Sequence, residues 1–122
     1  MTIDKEGLVL QDFYDVVFSE KEVSIDDSVL KTVQDSFDFL TEFSENKIIY
    51  GVNTGFGPMA QYKIEDSKRI QLQYNLIRSH ASGTGNPIPP KYVKAAMLAR
   101  LNTLAIGKSG VHPSVIQLMT TL

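Results

Sequence analysis

The sequence predicts a mainly α-helical fold, and three observations support this prediction. Apolar residues recur with the three- and four-residue spacing of an amphipathic helix in several segments. Cap-forming or proline residues precede most of these segments. Two glycine- and proline-rich stretches, at about 51–58 and 80–90, separate the segments. The length of 122 residues allows one domain, which we expect to span 1–122.

The N-terminal third contains the strongest helix signal. A short helix is expected over residues 10–18, and a brief strand or extended segment over 21–25. The run 26–28, Asp-Asp-Ser, supplies cap-type side chains and negative charge for a helix start. A helix is therefore predicted at about 28–43. Its apolar stripe consists of Val29, Val33, Phe37, Leu40 and Phe43.

The middle of the chain combines a short β-branched segment with a further helix. Residues 47–50 are expected to be extended. The helix should begin near Asp66 or Ser67 and continue to about Ser79. Its inward-facing residues are predicted to be Ile70, Tyr74 and Ile77.

Prolines mark the start of the last two helices. Pro90 suits a first helical turn, where a missing N–H costs nothing, and Gly107 is the expected stop. The apolar residues of this helix are Val93, Ala96, Met97, Leu101 and Leu104. The phrase 112–114, His-Pro-Ser, opens a last helix that is expected to run to the chain end at Leu122.

The composition excludes several kinds of function. A formal net charge of −2 gives no reason to expect nucleic acid or an anionic membrane as a partner. The absence of cysteine excludes disulfides, thiolate metal sites and a cysteine nucleophile. The N-terminus carries acids where a signal peptide requires bases, and no stretch approaches the length of a membrane span. We therefore expect a cytoplasmic protein without a metal site.

The first glycine-rich stretch places a tyrosine on a loop, which runs from Tyr50 to Gly57. A tyrosine hydroxyl has an ordinary pKa near ~10, so base chemistry at neutral pH requires a strongly perturbed environment. Composition alone favours the plainer interpretation of a core tyrosine beside a turn. A phosphate-binding loop is rejected, because the glycines lack the Lys-Ser/Thr ending that grips phosphate.

The second stretch begins with His80 at the expected end of a helix. A histidine in this position can be a cation favoured by the helix dipole, or it can donate a neutral hydrogen bond. Taken alone, the residue favours a structural role. Long ordered loops nevertheless serve sites more often than they serve structure alone. Function is therefore expected in these two stretches.

Four phrases follow one another between residues 48 and 111. They are Tyr50-Gly-Val-Asn-Thr-Gly-Phe-Gly57, Leu72-Gln-Tyr-Asn-Leu76, Ser79-His80 with Gly83 and Gly85, and Arg100-Leu-Asn-Thr-Leu104 with Gly107-Lys-Ser-Gly-Val111. Together they resemble the N-terminal region of the histidine ammonia-lyase family. The resemblance implies the N-terminal helical domain of the fumarase/aspartase-like superfamily. It also implies a homotetramer whose active sites share residues between subunits.

In that family, ammonia is removed from an aromatic amino acid to give a trans-arylacrylate, as in the conversion of histidine to urocanate. An electrophilic methylidene-imidazolone group, formed by self-cyclisation of an Ala-Ser-Gly segment, activates the substrate. The resemblance implies that Tyr50 is the base that takes the β-hydrogen, and that Ser79 and His80 bind the substrate ring. A mobile lid that excludes water on closure would consist of Gly51, Asn53, Gly55 and Gly57.

Residues 81–83, Ala-Ser-Gly, spell the tripeptide that cyclises in this family. In relatives the cyclising tripeptide lies downstream and is followed by an Asp-Leu phrase, whereas Thr-Gly-Asn-Pro follows here. We therefore interpret Ser82 as an ordinary loop serine and expect no cofactor within 1–122. The electrophile-forming segment would lie downstream, so the resemblance implies an inactive N-terminal piece of a longer enzyme.

Three alternatives stay open on these residues. Ser79-His80 is typical of histidine-specific members, while the phrases 57–62 and 75–80 resemble bacterial members that deaminate tyrosine. An aminomutase of the same family would share every motif. The alternative from another class is a non-catalytic helical interaction module.

The remaining candidates have plainer interpretations. Arg78 and Arg100 are interpreted as surface or inter-subunit contacts, and His112 as the cap of the last helix. The methionines interpreted as core filling are Met59, Met97 and Met119. Three glycines in the first loop predict weak order over about 51–62. The apolar stripes of the helices would be covered in a larger assembly, so we expect this chain to self-associate.

Overall fold

The computed structural model describes residues 1–60 and 62–121 and divides into two compact units. The first unit comprises Met1–Thr41 with Pro87–Leu122, and the second comprises Glu42–Asn86. Within the described residues, the helices are α1 (Leu10–Phe18), α2 (Asp27–Ser44), α3 (Asp66–His80), α4 (Pro90–Ala105) and α5 (Pro113–Met119). The remaining elements are β1 (Thr2–Ile3), β2 (Ser24–Ile25) and a 3₁₀ turn at Gly57–Met59. The predicted mainly α fold is confirmed.

The first unit surrounds an apolar core to which both of its chain segments contribute. β1 and β2 pair in parallel, with Ile3 opposite Ile25. α4 packs against both α1 and α5. The buried side chains of this core are Ile3, Val16, Val29, Val33, Leu98, Leu101, Leu104, Ala105 and Ile116. Because burial of a large aliphatic side chain contributes about 1.5–3 kcal/mol, this cluster is the main source of the unit's stability.

The helix boundaries follow from the residues that cap them. The Asp26 carboxylate accepts hydrogen bonds from the hydroxyl of Ser28 and, at 2.8 Å, from its N–H. These two bonds lower the pKa of Asp26. At the start of α5, His112 Nδ1 accepts from the Ser114 N–H at 3.2 Å, which confirms the predicted cap. Gly107 follows α4 with a φ of +70°, a left-handed conformation that favours glycine.

The face that α3 buries differs from the predicted one. The prediction that Ile70, Tyr74 and Ile77 face inward is wrong, since their side chains are 72%, 54% and 64% exposed. The apolar residues of α3 that are partly buried are Leu72 and Leu76, on another stripe of the same helix. Both stripes have helical spacing, so periodicity alone does not choose between them. The side of α3 that is covered is set by packing.

The end of α5 also differs from the prediction. The helix ends at Met119 instead of continuing to the end of the chain. Leu122 itself lies outside the described residues, as does Gln61 of the phrase 57–62. Among the methionines interpreted as core filling, Met119 packs against the core and Met97 lines a cavity of about 430 Å³ in the first unit. The side chain of Met59 lies outside the described part.

The second unit buries polar side chains. Among the described residues of this unit, the buried side chains are those of Ser44, Asn53 and Thr54, whereas all the buried apolar core belongs to the first unit. Buried polar groups need hydrogen-bond partners. The internal order of the second unit therefore depends on hydrogen bonds. Over the described ranges, no helix is long and apolar enough to cross a membrane.

Candidate active site

Tyr50 lies on a tight turn in the second unit. The Ile49 carbonyl accepts hydrogen bonds from the N–H groups of Val52, at 3.1 Å, and Asn53, at 3.2 Å. Gly51, next to the tyrosine, has a φ of +78°, which the turn requires and which glycine adopts without strain. The prediction that residues 47–50 are extended is therefore wrong at its C-terminal end, where the chain turns.

The Tyr50 side chain is 63% exposed. Its ring meets the Phe56 ring edge-on, with centroids 6.1 Å apart and planes at 74°. Among the described residues, no hydrogen bond to the Tyr50 hydroxyl is present. The interpretation of Tyr50 as a core tyrosine is wrong, because its side chain is mostly exposed to solvent.

The Asn53 side chain holds the base of this turn. Its Oδ1 accepts from the Ile49 N–H at 2.8 Å. Its Nδ2 donates to the Ser44 carbonyl at 3.0 Å and to the Lys47 carbonyl at 2.7 Å. The side chain is only 2% exposed, so these bonds are protected from water. One amide therefore connects the end of α2 to the turn that carries Tyr50.

The segment after Asn53 closes the loop against a second stretch of chain. Thr54 forms an antiparallel bridge with Lys63. The Gly55 N–H donates to the Tyr62 carbonyl at 3.2 Å, and the Ile64 N–H donates to the Asn53 carbonyl at 2.9 Å. The Thr54 hydroxyl donates to the Gly55 carbonyl at 2.9 Å and accepts from the Gly51 N–H at 3.3 Å.

The four residues assigned to a lid thus fall into two classes. Asn53 and Gly55 are buried, whereas Gly51 and Gly57 are exposed. The expectation that little holds the loop is wrong for residues 53–55, because hydrogen bonds fix them on both sides. Movement of the loop as a lid stays a prediction.

Ser79 and His80 are the last two residues of α3. The Ser79 hydroxyl donates to the Leu76 carbonyl at 2.9 Å. His80 Nδ1 lies 2.9 Å from the same carbonyl and 3.0 Å from the Ser79 hydroxyl oxygen. Because a carbonyl oxygen can only accept, the contact with Leu76 favours the tautomer that carries its proton on Nδ1. In the neutral ring, the exposed Nε2 is then a hydrogen-bond acceptor.

The two halves of the predicted site are not in contact. Among the described residues, no hydrogen bond or ring contact joins Tyr50 to Ser79 or His80. Both halves belong to the second unit, and Tyr50, Ser79 and His80 are all exposed. The second unit therefore supplies a tyrosine hydroxyl and a histidine imidazole as separate groups.

The Ala-Ser-Gly tripeptide at 81–83 does not fit the cyclised electrophile. It is exposed and continues the end of α3, since the Ala81 N–H donates to the Ile77 carbonyl at 2.8 Å. The Ser82 N–H donates to the His80 carbonyl at 2.9 Å. A Cβ added at Gly83 would meet nothing within 4 Å. Within the described structure, no neighbouring atoms therefore compress this backbone toward the cyclised form of the tripeptide. Over residues 1–60 and 62–121, no cluster of acidic or histidine side chains could hold a metal ion.

Two arginines lie at the surface, and Asn53 has a role that the sequence did not reveal. The Arg78 guanidinium lies 5.6 Å from the centre of the Tyr74 ring on the exposed side of α3, and Arg100 is exposed. Both positions agree with the surface interpretation. Sequence reasoning placed Asn53 in a lid and missed its anchoring bonds. The available signal was an asparagine between glycines, since its amide can both donate and accept.

Comparisons with known proteins agree with the sequence motifs. The family model for aromatic amino acid lyase matches residues 8–122. A probable histidine ammonia-lyase of Thermoplasma acidophilum is 42% identical over 121 residues, covering 98% of this chain and 24% of that protein. A histidine ammonia-lyase of Streptococcus pyogenes serotype M5 (strain Manfredo) is 39% identical over 123 residues, covering 100% of this chain and 24% of that protein.

A solved structure gives the same result for the fold. Tyrosine aminomutase from Streptomyces globisporus matches with a TM-score of 0.90 at 33% identity, covering 99% of this chain and 23% of that one. The chain spans about a quarter of the length of the curated relatives it matches.

Proposed function

Because this chain belongs to the aromatic amino acid lyase family, we propose that it supplies the base and the ring-binding pair of a carbon–nitrogen lyase that releases ammonia from an aromatic amino acid. The observation that carries the proposal is the exposed Tyr50 on a hydrogen-bonded turn. A side chain held at its backbone and free at its hydroxyl suits a group that must meet a substrate atom.

In the proposed reaction, Tyr50 in its phenolate form removes a proton from Cβ of the substrate. The electron pair of that C–H bond forms the Cα=Cβ double bond, and the Cα–N bond breaks as ammonia leaves. The proton ends on the tyrosine oxygen. A phenol has an ordinary pKa near ~10, so the phenolate needs stabilising neighbours. Those neighbours would come from outside the described residues.

His80 supports the recognition of an aromatic ring that carries a hydrogen-bond donor. In the neutral tautomer that donates from Nδ1 to the Leu76 carbonyl, which lies 2.9 Å away, Nε2 is an acceptor. Both an imidazole N–H and a phenol O–H could donate to it. Histidine is the preferred substrate in this proposal, since curated relatives over the whole chain are named histidine ammonia-lyase. Tyrosine is the alternative, and an aminomutase reaction is supported by the name of the structural match.

The rest of the proposed site lies outside residues 1–122. The electrophilic methylidene-imidazolone group would form from a downstream Ala-Ser-Gly segment, because the tripeptide at 81–83 is exposed and unconstrained. Residues 1–122 alone should therefore be inactive. The proposed enzyme is a cytoplasmic homotetramer, in which the uncovered face of α3 with Ile70 and Ile77 packs against other parts of the assembly.

The lid is part of the same proposal. Residues 53–55 keep their hydrogen bonds, and closure moves the exposed part of the loop near Gly57, where φ is +57°. Such closure would exclude water from the reacting atoms.

The test is Tyr50→Phe in a full-length enzyme that contains these residues. The change removes one oxygen and keeps the ring. If Tyr50 is the base, kcat should fall by a factor on the order of 10²–10⁴ while substrate binding changes little. Tyr14→Phe is the matched control, because Tyr14 is similarly exposed, at 57%, on α1 of the first unit. Near-normal turnover in Tyr50→Phe would refute the base assignment.

A further inference from the structure

We infer that Asn53 is a positioning residue for catalysis, which fixes the turn that carries the Tyr50 hydroxyl. This inference rests on the proposed function, because it concerns how the proposed base is held. Asn53 does not touch the reacting atoms in this proposal. It acts through the backbone of the residues on either side of the tyrosine.

Asn53 is bonded in two ways to Ile49, the residue before Tyr50. Its side chain accepts from the Ile49 N–H at 2.8 Å. Its own backbone N–H donates to the Ile49 carbonyl at 3.2 Å. The same two residues are therefore joined twice, once through a side chain and once through the main chain. The segment 50–52 lies between them, so its backbone has little freedom of its own.

In the part of the chain that the structure describes, no fully buried apolar side chain supports the turn that carries Tyr50. Among the described residues of the second unit, no apolar side chain is buried, and the buried side chains are those of Ser44, Asn53 and Thr54. The apolar residues of the turn, Ile49, Val52 and Phe56, are only partly buried, so the turn depends largely on hydrogen bonds. The amide of Asn53 also reaches the Ser44 carbonyl at 3.0 Å and the Lys47 carbonyl at 2.7 Å. It thereby fixes the turn to Ser44, the last residue of α2.

A catalytic base must be held close to the proton that it removes. A displacement of about 1 Å in a catalytic group can cost ~10²-fold in rate, because proton transfer requires close approach. Loss of the Asn53 bonds lets the turn move by such amounts without altering Ser79 or His80, which belong to α3. The rate should therefore suffer while recognition of the substrate ring is kept.

The informative change is Asn53→Asp. The carboxylate has nearly the same size as the amide and can still accept from the Ile49 N–H. Its second oxygen, however, faces the carbonyls of Ser44 and Lys47, which can only accept. Both donated bonds are lost and replaced by repulsion. The matched control is Asn46→Asp, which adds the same charge at an exposed position in the connection after α2.

The experiment is a double-mutant cycle in the full-length enzyme, with kcat and KM measured for Asn53→Asp, Tyr50→Phe and the double variant. We expect Asn53→Asp to lower kcat about 10- to 100-fold, with KM within about threefold of the parent. In the Tyr50→Phe background, Asn53→Asp should lower kcat little further, because the group that it positions is already missing. Asn46→Asp should match the parent.

The outcomes separate this inference from the proposed function. If Tyr50→Phe keeps near-normal kcat, the base assignment falls and the inference falls with it. If Tyr50→Phe loses activity but the two losses multiply in the double variant, Asn53 has only a general structural role and the inference alone is overturned. Should Asn53→Asp fail to fold, Asn53→Ser is measured in the same cycle, because its hydroxyl keeps one donor. The losses in kcat from Asn53→Ser and Tyr50→Phe must then be non-additive in the same way.

Discussion

Gly107→Ala gives a sharp test of the packing between α2 and the end of α4. A Cβ at position 107 would lie 2.6 Å from Cγ2 of Thr32, 3.1 Å from its carbonyl oxygen and 3.2 Å from its carbonyl carbon. The side-chain methyl can rotate away, but the carbonyl belongs to the backbone of α2 and cannot move without displacing the helix. Gly107 also has a φ of +70°, which alanine adopts only with strain.

Two costs add in this variant. The left-handed conformation costs roughly 1–2 kcal/mol for a residue with a Cβ. Overpacking against a backbone that cannot relax costs about 1–3 kcal/mol. Gly107→Ala should therefore lower the free energy of unfolding by about 2–5 kcal/mol, a large share of the roughly 5–15 kcal/mol typical of a folded domain.

Gly7→Ala is the matched control in the same unit. Gly7 has a similar φ of +78°, but its added Cβ would meet a side-chain atom, Asn102 Oδ1, at 3.2 Å. It should show the cost of the left-handed conformation with little further loss. In thermal unfolding followed by far-ultraviolet circular dichroism, Gly107→Ala should melt lower than Gly7→Ala by about 4–12 °C, at roughly 4 °C per kcal/mol. Equal midpoints would refute the reasoning from Thr32.

Three further predictions concern recognition, capping and assembly. His80→Phe in the full-length enzyme should change the ranking of histidine and tyrosine as substrates more than it changes the best kcat, because the Nε2 acceptor is lost; competition assays with both amino acids measure this. Hydrogen bonds from Ser28 lower the pKa of Asp26. The charged Asp26 cap therefore stabilises the fold above the ordinary pKa of ~3.9, and this stabilisation is lost as pH falls through the lowered pKa. Asp26→Asn should therefore be less stable than the parent at pH 7, by a difference that shrinks in acid unfolding curves. Residues 1–122 should self-associate at high concentration, and Ile70→Lys with Ile77→Lys should lower the mass seen by light scattering, because both side chains are exposed.

Each of the three predictions has a control variant or an outcome that would contradict it. An unchanged substrate ranking in His80→Phe would remove the selectivity role. Asp35→Asn, on the exposed side of the same helix, is the control for Asp26→Asn; a pH-independent difference between Asp26→Asn and the parent would contradict the cap. Gln71→Lys places a charge on an exposed polar position of α3 and should leave association unchanged. A clean monomer of the parent residues would contradict the assembly.

Several helix boundaries, though not the end of α5, were predictable because they depend on neighbouring residues alone. Asp26 caps α2, Pro90 opens α4, and Gly107 ends it through local geometry that each residue type favours. The buried face of α3 was not predictable in the same way. Two stripes share its helical period, and only the surrounding packing decides which one is covered.

The turn at Tyr50 shows the limit of local propensity. Two isoleucines at 48 and 49 favour an extended backbone, yet the amide of Asn53 draws the chain into a turn. Its partners are backbone groups, which carry no sequence signal, so the anchoring bonds could not be predicted. The candidate roles of Tyr50 and His80 came from the resemblance, since neither exposure nor spacing distinguishes them from surface residues.

The apolar core of the first unit has a consequence for how the chain folds. Its side chains come from Met1–Thr41 and from Pro87–Leu122, so every contact between the two segments closes a loop that contains the whole second unit. Loop closure over this length costs about 3 kcal/mol of chain entropy before any contact compensates it. At a synthesis rate of roughly 5–20 residues per second, Ile3 and Val16 wait on the order of ten seconds for Leu101 to leave the ribosome. During that interval the apolar faces of α1 and α2 are open to chaperones and to other nascent chains.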